Sequence, residues 1–125
     1  MGLHRIGDFA KITNLSIRTL RFYDELGLLV PEEVDVYSNY RYYGDRNIEE
    51  AKKINYYKKA GFTLEEIRDH WNNFTDEDYL SKKKELYQKI DILNEQIKLV
   101  DLLRSQNEHT NKSVKVKTLG GRNER

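Results

Sequence analysis

The hydrophobic positions near the start of the chain predict two short helices separated by a tight turn. Apolar residues recur at helical spacing over residues 6–12 and again over residues 17–26. Ser16 can N-cap the second helix, because its hydroxyl accepts a hydrogen bond from a first-turn N–H. Gly27 can end that helix, because glycine adopts the left-handed conformation at low cost. Two helices joined in this way form a helix-turn-helix, although an ordinary corner of a helical bundle has the same pattern.

The second predicted helix has an open side that carries charge. Its inner stripe is predicted to contain three residues, namely Ile17, Leu20 and Asp24. Arg18, Arg21 and Tyr23 are predicted to project away from that stripe. A short helix with two arginines and an aromatic residue on its open side suits contact with another molecule better than burial in a core.

The next segment predicts a small β-hairpin, or wing. Pro31 ends the helical run, because proline lacks an N–H and restricts its own φ. Hydrophobic positions then alternate on either side of the turn-forming pair Ser38-Asn39. These positions are Val34, Val36, Tyr40 and Tyr42. Arg41 lies between two tyrosines, and guanidinium and phenol groups suit contact with phosphate, although any one tyrosine is equally well explained by packing.

Two further helices are predicted after the wing. Asp45 is the predicted N-cap of the third helix, and Gly61 its predicted end. Its buried stripe is predicted to contain Ile48, Ala51 and Ile54. Residues 63–66, Thr-Leu-Glu-Glu, form a capping-box sequence that opens a fourth helix. Trp71 then anchors the core in this interpretation.

The last third of the chain predicts one long helix with a coiled-coil seam. Five apolar residues step by alternating four and three positions, namely Leu86, Ile90, Leu93, Ile97 and Val100. A helix of this length extends beyond a domain of roughly 70 residues, which favours pairing with a second chain over packing on its own domain. The predicted division is a winged helix-turn-helix at residues 1–73, a dimerisation helix at 75–107 and a flexible polar tail at 108–125.

Composition removes several classes of function. The chain of 125 residues has no cysteine, so disulfides and thiolate chemistry are excluded. Its three histidines are scattered, which predicts no metal site, and we expect no cofactor. No nucleophile–base pair, carboxylate dyad or glycine-rich phosphate loop is present, so we expect no enzyme. Without an evident signal peptide or membrane-spanning run, the expected location is cytoplasmic, with no membrane partner.

Several blocks of sequence, in a fixed order over residues 3–73, resemble one known family. The blocks are IGDFAK (6–11), SIRTLRFYD (16–24), GLLVP (27–31), NYRYY (39–43) and GFTLEEI (61–67). Together they resemble the DNA-binding domain of the MerR family of bacterial transcriptional regulators. Residues 34–35 and 40–43 are most similar to its multidrug-responsive activator branch. The resemblance implies a mainly α fold, with a winged helix-turn-helix, two further helices and a long antiparallel coiled-coil dimerisation helix.

The resemblance also implies which residues contact double-stranded DNA. The recognition-helix positions correspond to Ser16, Arg18, Thr19, Arg21, Phe22 and Tyr23. The wing's contacts to the DNA backbone correspond to Tyr40, Arg41 and Tyr42. Phe22 departs from the pattern, because many relatives have tyrosine there. The implied mechanism is a homodimer that binds a pseudo-palindromic promoter operator and distorts the spacer DNA, which affects RNA polymerase indirectly.

Two questions stay open at the level of sequence: how a small-molecule effector would act, and which class of function the chain has. The predicted tail at residues 108–125 is too short to form the ligand-binding domain of the multidrug branch. Either the effector domain is missing, or a small-molecule effector binds between the dimerisation helices and the heads. Alternative functions are a DNA-architectural, excisionase-like factor and a coiled-coil module for protein interaction.

Overall fold

The computed structural model describes residues 2–114, with side chains through residue 109. Its contacts divide the chain into two units, Met1–Asp78 and Tyr79–Arg125, and we call residues 2–78 the head. The elements are β1 (His4–Arg5), α1 (Ile6–Thr13), α2 (Ile17–Glu25), β2 (Glu33–Val34), β3 (Arg41–Tyr43), α3 (Asp45–Lys59), α4 (Leu64–Asp69) and α5 (Asp76–Val114). The predicted order of helix-turn-helix, wing, two helices and one long helix is confirmed.

Local capping determines the turn between the first two helices. Helix α1 ends where Asn14 adopts a left-handed conformation, with φ of 60°. Helix α2 begins after Ser16, whose hydroxyl accepts a hydrogen bond from the Thr19 N–H at 2.9 Å. Gly27, with φ of 71°, follows the last turn of α2, as predicted. These residues give the two helices the short connection of a helix-turn-helix.

The wing contains a third strand in addition to the predicted hairpin. Its antiparallel strands are arranged in the order β1-β3-β2. Strand β3 pairs with β1 through Tyr43 opposite His4, and with β2 through Arg41 opposite Val34. Because β1 has only two residues, no alternating pattern marks it in the sequence.

Asp35 forms the turn at the tip of the wing. Its carbonyl accepts the Asn39 N–H at 2.7 Å, and Asn39 has the positive φ expected of the turn, 65°. Its side-chain Oδ1 accepts the N–H groups of Tyr37 and Ser38 at 2.8 and 3.2 Å. Val36 therefore lies in the turn and is 85% exposed. The alternation of hydrophobic positions had predicted it in a strand, so that prediction is wrong.

The core of the head lies where α1, α2, α3, α4 and β3 meet. Its most deeply buried apolar side chains are Phe9, Leu20, Tyr23, Leu29, Tyr43, Ile54 and Ile67. The rings of Phe9 and Tyr43 stack with centroids 4.5 Å apart and planes 9° from parallel, which joins α1 to β3.

Tyr23 corrects the predicted orientation of α2. It is 2% exposed, so the prediction that it projects away from the inner stripe is wrong. It follows Leu20 by three residues, a spacing that places both side chains on one side of a helix. Ile17, which the stripe was predicted to bury, is 41% exposed at the first position of α2.

Helices α3 and α4 begin with caps made by their own residues. The N-cap of α3 is Gly44 instead of the predicted Asp45. The prediction was one residue late, because Gly44 already has the extended backbone of a cap, with φ of −117°, and its N–H is accepted by the buried Asn47 side chain at 3.0 Å. Thr63 and Glu66 form the predicted capping box, in which each side chain accepts the other residue's N–H, at 3.1 and 2.8 Å.

Helix α5 has 39 residues and extends beyond its predicted end at residue 107. Residues 108–114 are thus helical and not part of a flexible tail, because this segment contains neither glycine nor proline to stop a helix. The remainder of the predicted tail, 115–125, lies outside the described residues. The five predicted seam residues are all exposed in the single chain, with exposed fractions from 38% to 61%.

Candidate nucleic-acid interface

The exposed side of α2 presents a mixed basic and apolar face. Six side chains line one shallow depression there, namely Ile17, Arg18, Thr19, Arg21, Phe22 and Glu25. Arg18, Arg21 and Phe22, which the resemblance assigns to DNA contact, are all exposed. The side of α2 opposite the core is therefore accessible to a partner, and two guanidinium groups supply its positive charge.

Ser16 and Thr19, also predicted as contact residues, are hydrogen-bonded to each other. The Ser16 hydroxyl donates to the Thr19 hydroxyl at 2.8 Å and accepts the Thr19 N–H at 2.9 Å. The pair fixes the first turn of α2, and Ser16 stays exposed. The role of these two hydroxyls in DNA contact stays a prediction.

Tyr23 does not belong to the accessible face, but its hydroxyl connects α2 to α3. Lys58, in the last turn of α3, donates from Nζ to the Tyr23 hydroxyl oxygen at 3.5 Å. This contact places a third cationic side chain next to α2. The two residues are 35 positions apart, and no local signal in the sequence indicates their contact.

An ion pair connects α2 to the wing. Arg41 Nε donates to Asp24 Oδ2 at 2.8 Å, and the two side chains are 30% and 21% exposed. The hydrogen bond that Arg41 donates to Asp24 raises the pKa of the Arg41 guanidinium above its ordinary value. The pair uses one of the five N–H donors of Arg41. The predicted wing arginine is thus first of all a structural link to α2.

The other two predicted wing residues differ in exposure. Tyr40 is 46% exposed, and the Arg5 guanidinium lies 3.8 Å from the centre of its ring in a cation–π contact. Tyr42 is half-buried in β3, opposite Arg5 of β1 and Glu33 of β2. Arg5 is a basic residue of the wing that the sequence did not indicate, because β1 reaches the wing only through its pairing with β3.

Within residues 2–114, the side chains that are described include no group of three or more metal-ligating residues. No helix in that part of the chain is both long and apolar enough to cross a membrane.

The fold and the exposed, arginine-bearing α2 define a winged helix-turn-helix head. The family model described as "MerR HTH family regulatory protein" matches residues 4–73. The chain belongs to the MerR family, and the resemblance found in its sequence is confirmed.

Two sequence relatives illustrate the range of similarity. The HTH-type transcriptional activator mta of Bacillus subtilis is 34% identical over 101 residues, which are 78% of this chain and 39% of that protein. The HTH-type transcriptional regulator CueR of Escherichia coli O6:H1 is 31% identical over 103 residues, 81% of this chain and 76% of CueR. The chain therefore spans less than half the length of mta.

Solved structures share the same architecture. The crystal structure of MtaN, the Bacillus subtilis multidrug transporter activator N-terminus, matches with a TM-score of 0.71 and 33% identity, over 80% of this chain and 96% of that chain. EcmrR in its cryo-EM complex with DNA matches with a TM-score of 0.68 and 26% identity, over 93% of this chain and 41% of EcmrR.

Proposed function

We propose that this protein is a sequence-specific DNA-binding transcriptional regulator that acts as a homodimer on a pseudo-palindromic promoter operator. The observation that carries the proposal is the accessible face of α2, on which Arg18 and Arg21 lie opposite the core. A recognition helix enters the major groove, where guanidinium groups form paired hydrogen bonds with guanine. The similarity to EcmrR, whose structure contains DNA, supports the same use of α2 here. The proposed activity is binding and not catalysis.

The wing would add affinity through the DNA backbone. Tyr40 is exposed near the guanidinium of Arg5, and Arg41 keeps N–H donors beyond the one bound to Asp24. Phosphate contacts of this kind position a protein on the duplex without reading its sequence. The ion pair between Asp24 and Arg41 would keep the wing and α2 in a constant relation while both contact DNA.

Dimerisation would use the apolar seam of α5. Its five residues are at least 38% exposed in the single chain, and α5 has 39 residues. Pairing with a second α5, antiparallel in this proposal, would remove that apolar surface from water. Two-fold symmetry of the dimer then requires two half-sites related by approximate two-fold symmetry in the DNA.

Regulation would follow from deformation of the promoter. Binding between the promoter elements, with bending and untwisting of the spacer, costs several kcal/mol that contacts to the DNA must offset. RNA polymerase would respond to the altered DNA, so its interaction with this protein is indirect. A regulator of bacterial promoters would act in the cytoplasm.

Selection from a randomised duplex library tests this proposal. The full chain should enrich a pseudo-palindromic sequence, and hydroxyl-radical footprinting should show two protected half-sites related by symmetry. A duplex with one half-site scrambled is the matched control and should bind much more weakly. Absence of any enriched sequence, or one continuous asymmetric footprint, would contradict the proposal.

A further inference from the structure

The accessible face of α2 contains an aromatic side chain that cannot form hydrogen bonds. Phe22 is 46% exposed and lines the same depression as Arg18 and Arg21. The core does not account for this exposed ring, because α2 buries Leu20 and Tyr23 on its other side. An exposed phenylalanine beside two arginines therefore indicates a partner that has both acceptor atoms and an apolar group.

The edges of the bases in the major groove supply an apolar group of one kind. Each base pair presents hydrogen-bond donors and acceptors there, and thymine alone adds a C5-methyl group. A phenylalanine in this groove can distinguish bases only through contact with that methyl group. Arginine, in contrast, recognises the acceptor atoms of guanine.

We propose that Phe22 recognises a thymine in each operator half-site through its C5-methyl group. The inference rests on the proposed function, because it assigns a specific base to the same face of α2. Phe22 follows Arg18 by four residues, so the two side chains lie on one side of α2, about 6 Å apart along its axis. The two side chains would therefore contact nearby base pairs within one half-site.

Ile17 is the competing apolar side chain on this face. It is 41% exposed and lies at the first position of α2, next to Arg18. Along the helix axis it is about 7.5 Å from Phe22, so the two side chains would meet different base pairs. Separate variants of the two residues therefore assign a methyl contact to one or the other.

Replacement of single thymines by deoxyuridine in the selected operator is the direct test, because this change removes only the methyl group. Fluorescence anisotropy with the full chain should identify a thymine whose replacement weakens binding about fourfold per half-site. Replacement in both half-sites should weaken binding about 16-fold, if the two contacts act independently. The same replacement at thymines outside the two half-sites is the control and should not change the affinity.

Variants of the protein then assign the contact. Phe22→Ala should bind the thymine and deoxyuridine duplexes equally at that position, and Phe22→Leu should retain part of the difference. Ile17→Ala and Tyr56→Ala should retain the whole difference in affinity between the thymine and deoxyuridine duplexes. Tyr56 is the matched control, because it is an aromatic residue of α3 that is 72% exposed. Unchanged melting temperatures for the Phe22 variants would show that the head is intact.

The outcomes separate the inference from the proposed function. If an operator is selected but deoxyuridine has no effect at any thymine, the proposed function stands and the methyl contact is wrong. Loss of the deoxyuridine effect in Ile17→Ala, with Phe22→Ala unaltered, also overturns the assignment. If no sequence is selected, the proposed function and the inference both fail.

Discussion

Arg41, in strand β3 of the wing, donates its Nε–H to a carboxylate oxygen of Asp24 in α2 at 2.8 Å. The two residues belong to the two parts of the head that we propose contact DNA. Both side chains are less than one-third exposed, so solvent screens their attraction less than it screens a surface pair. The pair therefore ties the orientation of the wing to that of the recognition helix.

This relationship predicts a measurable coupling in stability. Asp24→Ala and Arg41→Ala should each lower the free energy of unfolding, and the double variant should lower it by about 1 kcal/mol less than the sum. Urea denaturation of the four proteins at one protein concentration provides the measurement.

The control for this cycle is the pair of Lys52 and Glu49 on α3. Its N–O distance is 3.4 Å, and the two side chains are 63% and 74% exposed. Exposed pairs of this kind contribute little, so the coupling there should be smaller. Equal coupling in the two cycles, or strict additivity for Asp24 and Arg41, would show that the link between the wing and α2 is unimportant for stability.

Features set by neighbouring residues were predicted from the sequence. The caps of α2 and α4 and the turn at Asn39 each depend on side chains within a few positions of the backbone groups that they satisfy. The long helix α5 was predicted from its periodic apolar residues, but its end was not. Helix ends without a glycine or proline carry little local signal.

Features that depend on distant residues were not predicted. Asp24 and Arg41 are 17 positions apart, and β1 joins the sheet through residues about forty positions away. Arg41 was predicted only as a phosphate contact, because its ion pair with Asp24 of α2 forms only when the wing packs against that helix. The prediction that Tyr23 is exposed was wrong for a local reason. Tyr23 follows Leu20 by three residues, and this spacing is compatible with the buried side of α2.

Tyr43 provides a prediction about the core. Its side chain is fully buried, and among the described residues its hydroxyl has no hydrogen-bond partner. Tyr43→Phe should therefore stabilise the head by about 1 kcal/mol, because an unpaired buried hydroxyl is unfavourable. Urea denaturation at neutral pH measures this change, with Tyr37→Phe as a control because Tyr37 is 96% exposed.

The same residue predicts a dependence of stability on pH. Burial raises the pKa of the Tyr43 hydroxyl, so the folded state disfavours its ionised form. Ionisation of this hydroxyl does not affect the free energy of unfolding below the ordinary tyrosine pKa of about 10. As pH rises from there towards the raised value, the unfolded state ionises first and the protein loses stability. Tyr43→Phe should lose less stability than the parent protein on alkaline titration. Parallel curves for the two proteins would contradict the burial argument.

The seam of α5 predicts a change in assembly. Ile97→Glu would place a charge without a partner between the paired helices, which should cost several kcal/mol of dimer stability. Sedimentation velocity should then show monomers at micromolar concentration, with the head still folded. The neighbouring Gln96→Glu variant adds the same charge outside the predicted seam and should stay dimeric. A dimeric Ile97→Glu variant would place the interface elsewhere.

The central claim is that the accessible face of α2 reads DNA sequence, and the affinity of Arg18→Ala for the selected operator tests it most directly. The variant should lose about 1–3 kcal/mol of operator binding per half-site, while its melting temperature and its affinity for a scrambled duplex change little. Arg104→Ala removes the same charge from α5 and serves as the control. Fluorescence anisotropy titrations with both duplexes at one salt concentration give all the required affinities. Unchanged operator affinity in Arg18→Ala, or equal losses for the operator and the scrambled duplex, would contradict the account.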